Sequence, residues 1–230
     1  MKNFLDFKVI LQEGVFDKNI LKAFFLAGGP GSGKSFVTKN AFAGTGLKFV
    51  NSDRAFENNL KQANLSMKMP DEEAYFRDLL RKRAKSVTNR MMDNYVEGRL
   101  GLVIDGTARD YDLVSSQFQS LTALGYDCYM IFINTTLNVA LERNQTRSRS
   151  VPEYIVKKSW DTVQSNIGQY QRLFGLSNFI IIDNNKSEQE LINQTLNRAN
   201  KLIGQYLKTP VKNYIGKNWI SKELQIRKRM

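Results

Sequence analysis

The run Gly28-Gly29-Pro30-Gly31-Ser32-Gly33-Lys34-Ser35 satisfies the pattern G-x-x-x-x-G-K-[ST]. Each position has a chemical reason. Glycines let backbone N–H groups turn inward around an anion without Cβ clashes. Lys34 can reach β- and γ-phosphates, and the Ser35 hydroxyl can ligate Mg²⁺. A helix that starts after Gly33 presents its positive end to the phosphate. Gly29, Pro30, Gly31, Ser32, Gly33, Lys34 and Ser35 are therefore the candidate ATP-binding residues, with Ser35 on Mg²⁺. An ordinary glycine-rich turn explains the glycines but has no account of Lys34 and Ser35.

The chain contains no histidine. Ser-His-Asp hydrolysis, Cys-His proteolysis and His-ligated zinc are excluded. Any general base is then a carboxylate, lysine, tyrosine or water. Asp53 is the leading carboxylate: it lies in Asn51-Ser52-Asp53, just beyond a short apolar run. Strand ends in a parallel sheet face the ligand crevice, so Asp53 can meet an acceptor hydroxyl beside the γ-phosphate and take its proton. It can equally cap the following helix. Asp105 ends a second apolar run, in Ile104-Asp105-Gly106-Thr107. It suits a carboxylate near Mg²⁺, a grip on the acceptor, or a turn residue before Gly106. Thr107 can add a hydrogen bond to acceptor or phosphate.

Phosphoryl transfer spreads negative charge over the equatorial oxygens, and arginines on a mobile segment can stabilise it. Arg143, Arg147 and Arg149 precede Val151-Pro152 in a basic, Ser-rich stretch. They are expected to form a lid, with Arg147 the first candidate for phosphate contact and Arg143 the second. A solvated basic loop is the plainer reading. The arginines and lysines between Arg77 and Arg90 go nearly all round a predicted helix, as a solvated surface does.

Short apolar runs predict strands at 21–27, 47–51, 100–105, 127–133 and 178–183. Between them, periodicity and end signals predict helices at 33–42, 55–64, 70–97, 111–124, 137–144, 152–174 and 187–206. On the 70–97 helix, Phe76, Leu80, Val87, Met91 and Tyr95 largely recur at helical spacing. Alternating strands and helices imply an α/β fold, with a parallel sheet covered on both faces.

With 230 residues, 42% of them apolar, the chain can bury a core without disulfides, and Cys128 is its single cysteine. It has no apolar run of about 18 residues, hence no membrane partner, and it is expected to be cytoplasmic. The net charge is +12. From Lys201 onward eight Lys and Arg face Glu223 alone, interleaved with Tyr206, Tyr214 and Trp219. Cations with aromatics suit a polyanion such as nucleic acid; a solubilising tail is the alternative. The expected organisation is an N-terminal extension at 1–20, a domain carrying the phosphate loop at 21–206 and a basic C-terminal tail at 207–230.

A phosphate-binding loop serves motors, switch GTPases and small kinases alike. An N-K-x-D guanine reader is absent, and a motor of the AAA+ or helicase kind would usually need a longer chain, so a small kinase fits best. The ordered series Gly28 to Ser35, Asn51-Ser52-Asp53, Val103-Ile104-Asp105-Gly106-Thr107, Glu142-Arg143-Asn144 with Arg147, Val151-Pro152 and Ile181-Ile182-Asp183-Asn184 resembles the 5′-kinase domain of bacteriophage polynucleotide kinases and the related zeta-toxin kinases. The resemblance implies a P-loop NTPase fold with a five-stranded parallel sheet in the kinase-type order 2-3-1-4-5 and an arginine lid. It implies Asp53 as general base, Asp105 on the acceptor, Arg147 in the lid, and Asp183 and Asn184 near the adenine. Three positions after the base, where the polynucleotide kinases carry an arginine, stands Phe56. The Asp105-Gly106-Thr107 form leans towards the zeta toxins, whose acceptor is a nucleotide sugar.

The expectation is an ATP- and Mg²⁺-dependent kinase of a hydroxyl on nucleic acid: a 5′-OH end or a hydroxymethylated base of phage-type DNA. Kinases of a UDP-sugar, another small metabolite or a nucleoside monophosphate are the alternatives. A nucleotide-dependent nucleic-acid-binding module is a further one.

Overall fold

The computed structural model describes residues 15–147, 150–185 and 189–229. Its centre is a parallel sheet of β1 (Lys22–Ala27), β2 (Lys48–Val50), β3 (Leu102–Asp105), β4 (Asp127–Asn134) and β5 (Phe179–Asp183). The strands lie side by side as β2-β3-β1-β4-β5, all parallel. This is the kinase-type order expected above. In register, Leu26 faces Asp105 and Ile131, so β1, β3 and β4 end together at one rim of the sheet.

The strands are apolar because both faces are covered. Ala23, Phe25, Ala27, Leu102, Ile104, Met130 and Phe132 contribute to one core layer. Phe24, Leu26, Val103, Tyr129, Ile131 and Ile133 contribute to the other. The helices are α1 (Lys34–Ala41), α2 (Ser52–Gln62), α3 (Ala74–Glu97), α4 (Tyr111–Ala123), α5 (Leu137–Thr146), α6 (Glu153–Ser165), α7 (Ile167–Phe174), α8 (Gln189–Lys208) and α9 (Tyr214–Lys228). Helices α1 and α8 cover the second layer through Val37, Ala41, Ala199 and Ile203. The first layer takes Val114, Leu121, Val163, Tyr170 and Phe174 from α4, α6 and α7.

Three expectations are corrected. The single helix at 152–174 is two helices broken at Asn166, whose side-chain amide donates to the Arg109 carbonyl (2.9 Å). The apolar series on α3 is only partly its packed face: Leu80 and Tyr95 pack against core clusters, Phe76, Val87 and Met91 are exposed, and the buried residues are Ala84 and Thr88. The small Ala84 lets α2 approach closely and packs with Phe56, Leu60 and Met69 in a separate cluster. The third correction concerns the segment read as a basic tail. Helix α8 runs on to Lys208, and residues 214–228 form α9.

Helix α9 is docked at the amino-terminal end of the strands. The Asp127 carboxylate, at the start of β4, accepts from the backbone N–H groups of Lys212 and Asn213 (2.8 and 2.9 Å). Lys22, at the start of β1 and buried, donates to the Thr209 carbonyl (2.5 Å) and lies 3.5 Å from Asp127. Trp219 and Ile220 pack against the core while Arg99 stacks over the Trp219 ring at 4.7 Å. Lys217, Lys222, Arg227, Lys228 and Arg229 stay exposed. No helix among the described residues is long and apolar enough to cross a membrane.

Candidate active site

The loop from Gly28 to Gly33 leaves the central strand β1 and enters α1. Gly31 and Gly33 have φ of 79° and 88°. Side chains there would be strained and would also collide: a Cβ at Gly31 meets the Ala140 carbonyl oxygen, and one at Gly33 meets the Asn184 amide. The loop is thus held from outside. The Gly28 N–H donates to the Thr107 carbonyl (3.2 Å), tying the loop to the segment after β3. The Asn184 side-chain amide donates to the Ser32 carbonyl (2.8 Å), tying it to the segment after β5. Arg143, from α5, donates to the Asn184 carbonyl (2.8 Å) and fixes that support in turn. Gly29 backs onto the Trp160 backbone, and Pro30 sits half-buried beside it.

Lys34 is half-buried and folds back, donating to the carbonyls of Gly28 (2.5 Å) and Gly29 (3.3 Å). Burial pulls its pKa down; Asp105 and Asp53 oppose this and Arg147 adds to it. The four charges therefore influence one region. Ser32 is buried, and its Oγ makes no hydrogen bond. An orphaned hydroxyl inside a glycine cradle, at a helix N-terminus and beside an ammonium, fits a phosphate ligand.

Asp105 ends β3 and Asp53 lies in the first turn of α2. Asn51 joins them: its amide donates to Asp105 Oδ2 (2.6 Å) and its Oδ1 accepts from the Asp53 N–H (2.6 Å). Asn51 is also the N-cap of α2, so the side chain of Asp53 does not serve as the cap. Burial raises the pKa of Asp105; Lys34 and the Asn51 hydrogen bond hold it down, and Asp53 pushes it up. A cation beside Asp105 would favour its ionised form. Asp105 and the Ser35 hydroxyl line one cleft of about 490 Å³. They are hard oxygen donors of the kind Mg²⁺ takes, in small number, alongside water and phosphate.

Arg81 reaches Asp53 from α3. Its Nη1 donates to Asp53 Oδ1 (2.9 Å), and its guanidinium lies 3.8 Å above the Phe56 ring. The pair is partly exposed, so its contribution to stability is small, about 0–1 kcal/mol. Its effect is to orient the carboxylate. Periodicity gave Arg81 no distinction from its neighbours on α3, because the pair spans 28 residues.

Asn144 clamps the base of the arginine segment, donating to the Val151 carbonyl (2.8 Å) and accepting from the Val151 N–H (3.1 Å). At its start, the Arg147 carbonyl accepts from Lys68 (3.3 Å). Arg149 lies outside the described residues. Thr107 enters through its carbonyl, and its side chain is exposed. Asp183 is exposed at the end of β5 and accepts from the Asn185 N–H (3.1 Å) and side-chain amide (2.6 Å). Asn184 is buried beneath the phosphate loop.

Comparison with solved structures agrees with this fold. The AvrRxo1-ORF1:ORF2 complex with ATP superposes with a TM-score of 0.58 at 16% identity, over 75% of this chain and 57% of that one. The PezAT chromosomal toxin–antitoxin system of Streptococcus pneumoniae gives 0.52 at 13% identity, over 91% and 99%. A putative kinase from Chloroflexus aurantiacus gives 0.51 at 14% identity, over 81% and 98%. No curated protein sequence matches the chain. Residues 24–169, more than half of the chain and including the phosphate loop, both acids and the arginine segment, match the family described as AAA domain. The chain belongs to the AAA domain family, in the kinase-like form of the P-loop fold.

Proposed function

We propose that the protein transfers the γ-phosphate of ATP to a hydroxyl of a nucleotide-containing acceptor. The observation that carries this is the convergence of Lys34, Asp53 and Asp105 at the carboxyl ends of β1, β2 and β3, with Asn51 joining the acids. Asp53 takes the proton of the acceptor hydroxyl. The oxygen forms a bond to the γ-phosphorus, and the bond from that phosphorus to the β–γ bridging oxygen breaks, releasing ADP. Lys34, with Arg143 and Arg147, offsets the charge on the phosphates. Ser35 and Asp105 would hold Mg²⁺, which neutralises phosphate oxygens when bound. Gly29 to Gly33 cradle the triphosphate.

A small nucleotide acceptor is favoured over a polynucleotide end. Helix α9 docks at the amino ends of the strands, and β1 alone is six residues long, so roughly 20 Å separates that end from the phosphate loop. The charge that suggested nucleic acid is remote from the transfer site. The net charge of +12 keeps the 5′-OH or hydroxymethylated-base acceptor as a second reading, since a long strand can reach both ends.

The test is transfer from labelled ATP to mononucleotides, nucleotide sugars and 5′-OH oligonucleotides. D53N should lower turnover by about 10²–10⁴ and keep ATP affinity. Turnover within a few-fold of wild type in D53N would overturn the role of the carboxylate. Charge reversal at Lys217, Lys222 and Arg227 separates the acceptors: it leaves transfer to a small nucleotide unchanged and weakens transfer to a polynucleotide.

A further inference from the structure

The phosphate loop is packed differently on its two sides. Towards β4 and β5 it is closed by Asn184 and Arg143, both bonded onto loop or loop-supporting carbonyls. Towards β2 and β3 it borders the cleft of about 490 Å³, which Ser35 and Asp105 line at the transfer centre and Lys39, Arg54 and Phe49 line elsewhere. That volume suits a ligand the size of a nucleotide.

The chemistry of these three residues is specific. Phe49 is a strand residue in a sheet whose other aromatics are buried, yet it is 41% exposed. Its ring is held edge-on by Phe42, with centroids 6.3 Å apart. Lys39 and Arg54 are exposed, and neither forms an ion pair or side-chain hydrogen bond among the described residues. Asp105 is the single acid in the lining. An aromatic face with two unpaired cations takes a planar ring bearing an anionic group.

We propose that this cleft, between α1 and β2, binds the nucleotide part of the acceptor, with its base on Phe49 and its phosphate between Lys39 and Arg54. This rests on the phosphotransferase reading of the loop. The occupant is a mononucleotide or a small molecule carrying one. Its hydroxyl then lies towards Ser35, Asp105 and Asp53.

The experiment is calorimetric titration of the full chain. AMP-PNP is titrated first, and its affinity reports on the loop reading by itself. UMP, AMP, uridine, orthophosphate and a 5′-OH octanucleotide are then titrated into protein saturated with AMP-PNP. The expected result is that UMP or AMP binds and uridine binds at least tenfold more weakly. R54Q and K39Q weaken the mononucleotide at least tenfold and leave AMP-PNP within twofold. F49A weakens the mononucleotide but not orthophosphate. R54Q is at an exposed site, so the test survives if F49A folds poorly. Absence of mononucleotide binding, or binding that R54Q and K39Q leave within twofold, overturns the assignment. So does octanucleotide binding without mononucleotide binding.

Discussion

The contact between Asn184 and the phosphate loop offers the sharpest test of how the site is built. An asparagine just after the last strand invites the reading of an adenine contact. In the structure its amide satisfies the carbonyl of buried Ser32. N184A removes that donor and leaves a buried carbonyl unpaired, which costs about 1–3 kcal/mol. For a chain of this size each kcal/mol shifts Tm by about 2–4 °C, so the expected loss is about 2–12 °C. The loop loses its tie to β5, so ATP, ADP and GTP should weaken by a similar factor. Differential scanning fluorimetry and titration with fluorescent adenine and guanine nucleotides read both quantities. An unchanged Tm with a selective loss of adenine over guanine nucleotides would refute the supporting role and favour the adenine contact.

Two other sites give further predictions. The folded-state pKa of Asp105 is raised above its ordinary 3.8, so the folded protein holds the proton where the unfolded chain has released it. Stability from this group therefore falls as pH rises through that window. D105N should raise Tm at pH 7.5, lose that advantage as pH approaches 4, and abolish transfer; a lower Tm at pH 7.5 would contradict the sign. D127A removes the acceptor for two backbone N–H groups and the partner of buried Lys22. Breaking such a pair costs about 3–5 kcal/mol, with the Thr209 carbonyl keeping the loss near the lower end. A urea midpoint corresponding to less than about 1 kcal/mol would mean that Thr209 alone satisfies Lys22.

Much of the site was legible because its requirements are local. A phosphate loop needs backbone at positive φ followed by a lysine and a hydroxyl, and eight consecutive residues carry all of it. Asp53 and Asp105 were legible because each stands at or just beyond the end of an apolar run, and a parallel sheet brings strand ends to one rim. The strands themselves were readable because burial on both faces leaves an unbroken apolar signature. The break at Asn166 was not readable, since it depends on a carbonyl at Arg109, nor was the buried face of α3, where Ala84 was chosen for closeness rather than hydrophobicity. Asn51 had no assigned role because the pattern of a cap does not show that its amide also reaches the next strand.

The sequence by itself determined the sheet class and carried the phosphate-loop pattern and the two candidate acids, since each is written in contiguous residues or in the period of one element. Only the tertiary structure decided which arginine orients Asp53, what holds the loop, and where the charge of α9 lies. Arg81 meets Asp53 across 28 residues, and Asn184 meets Ser32 across 152. Such pairs satisfy polar groups between elements whose own periodicity is unaffected by them. The positive charge of the last thirty residues was a matter of composition; its distance from the candidate site followed from the anchoring of α9 at Asp127 and Lys22, at the end of the strands opposite the phosphate loop.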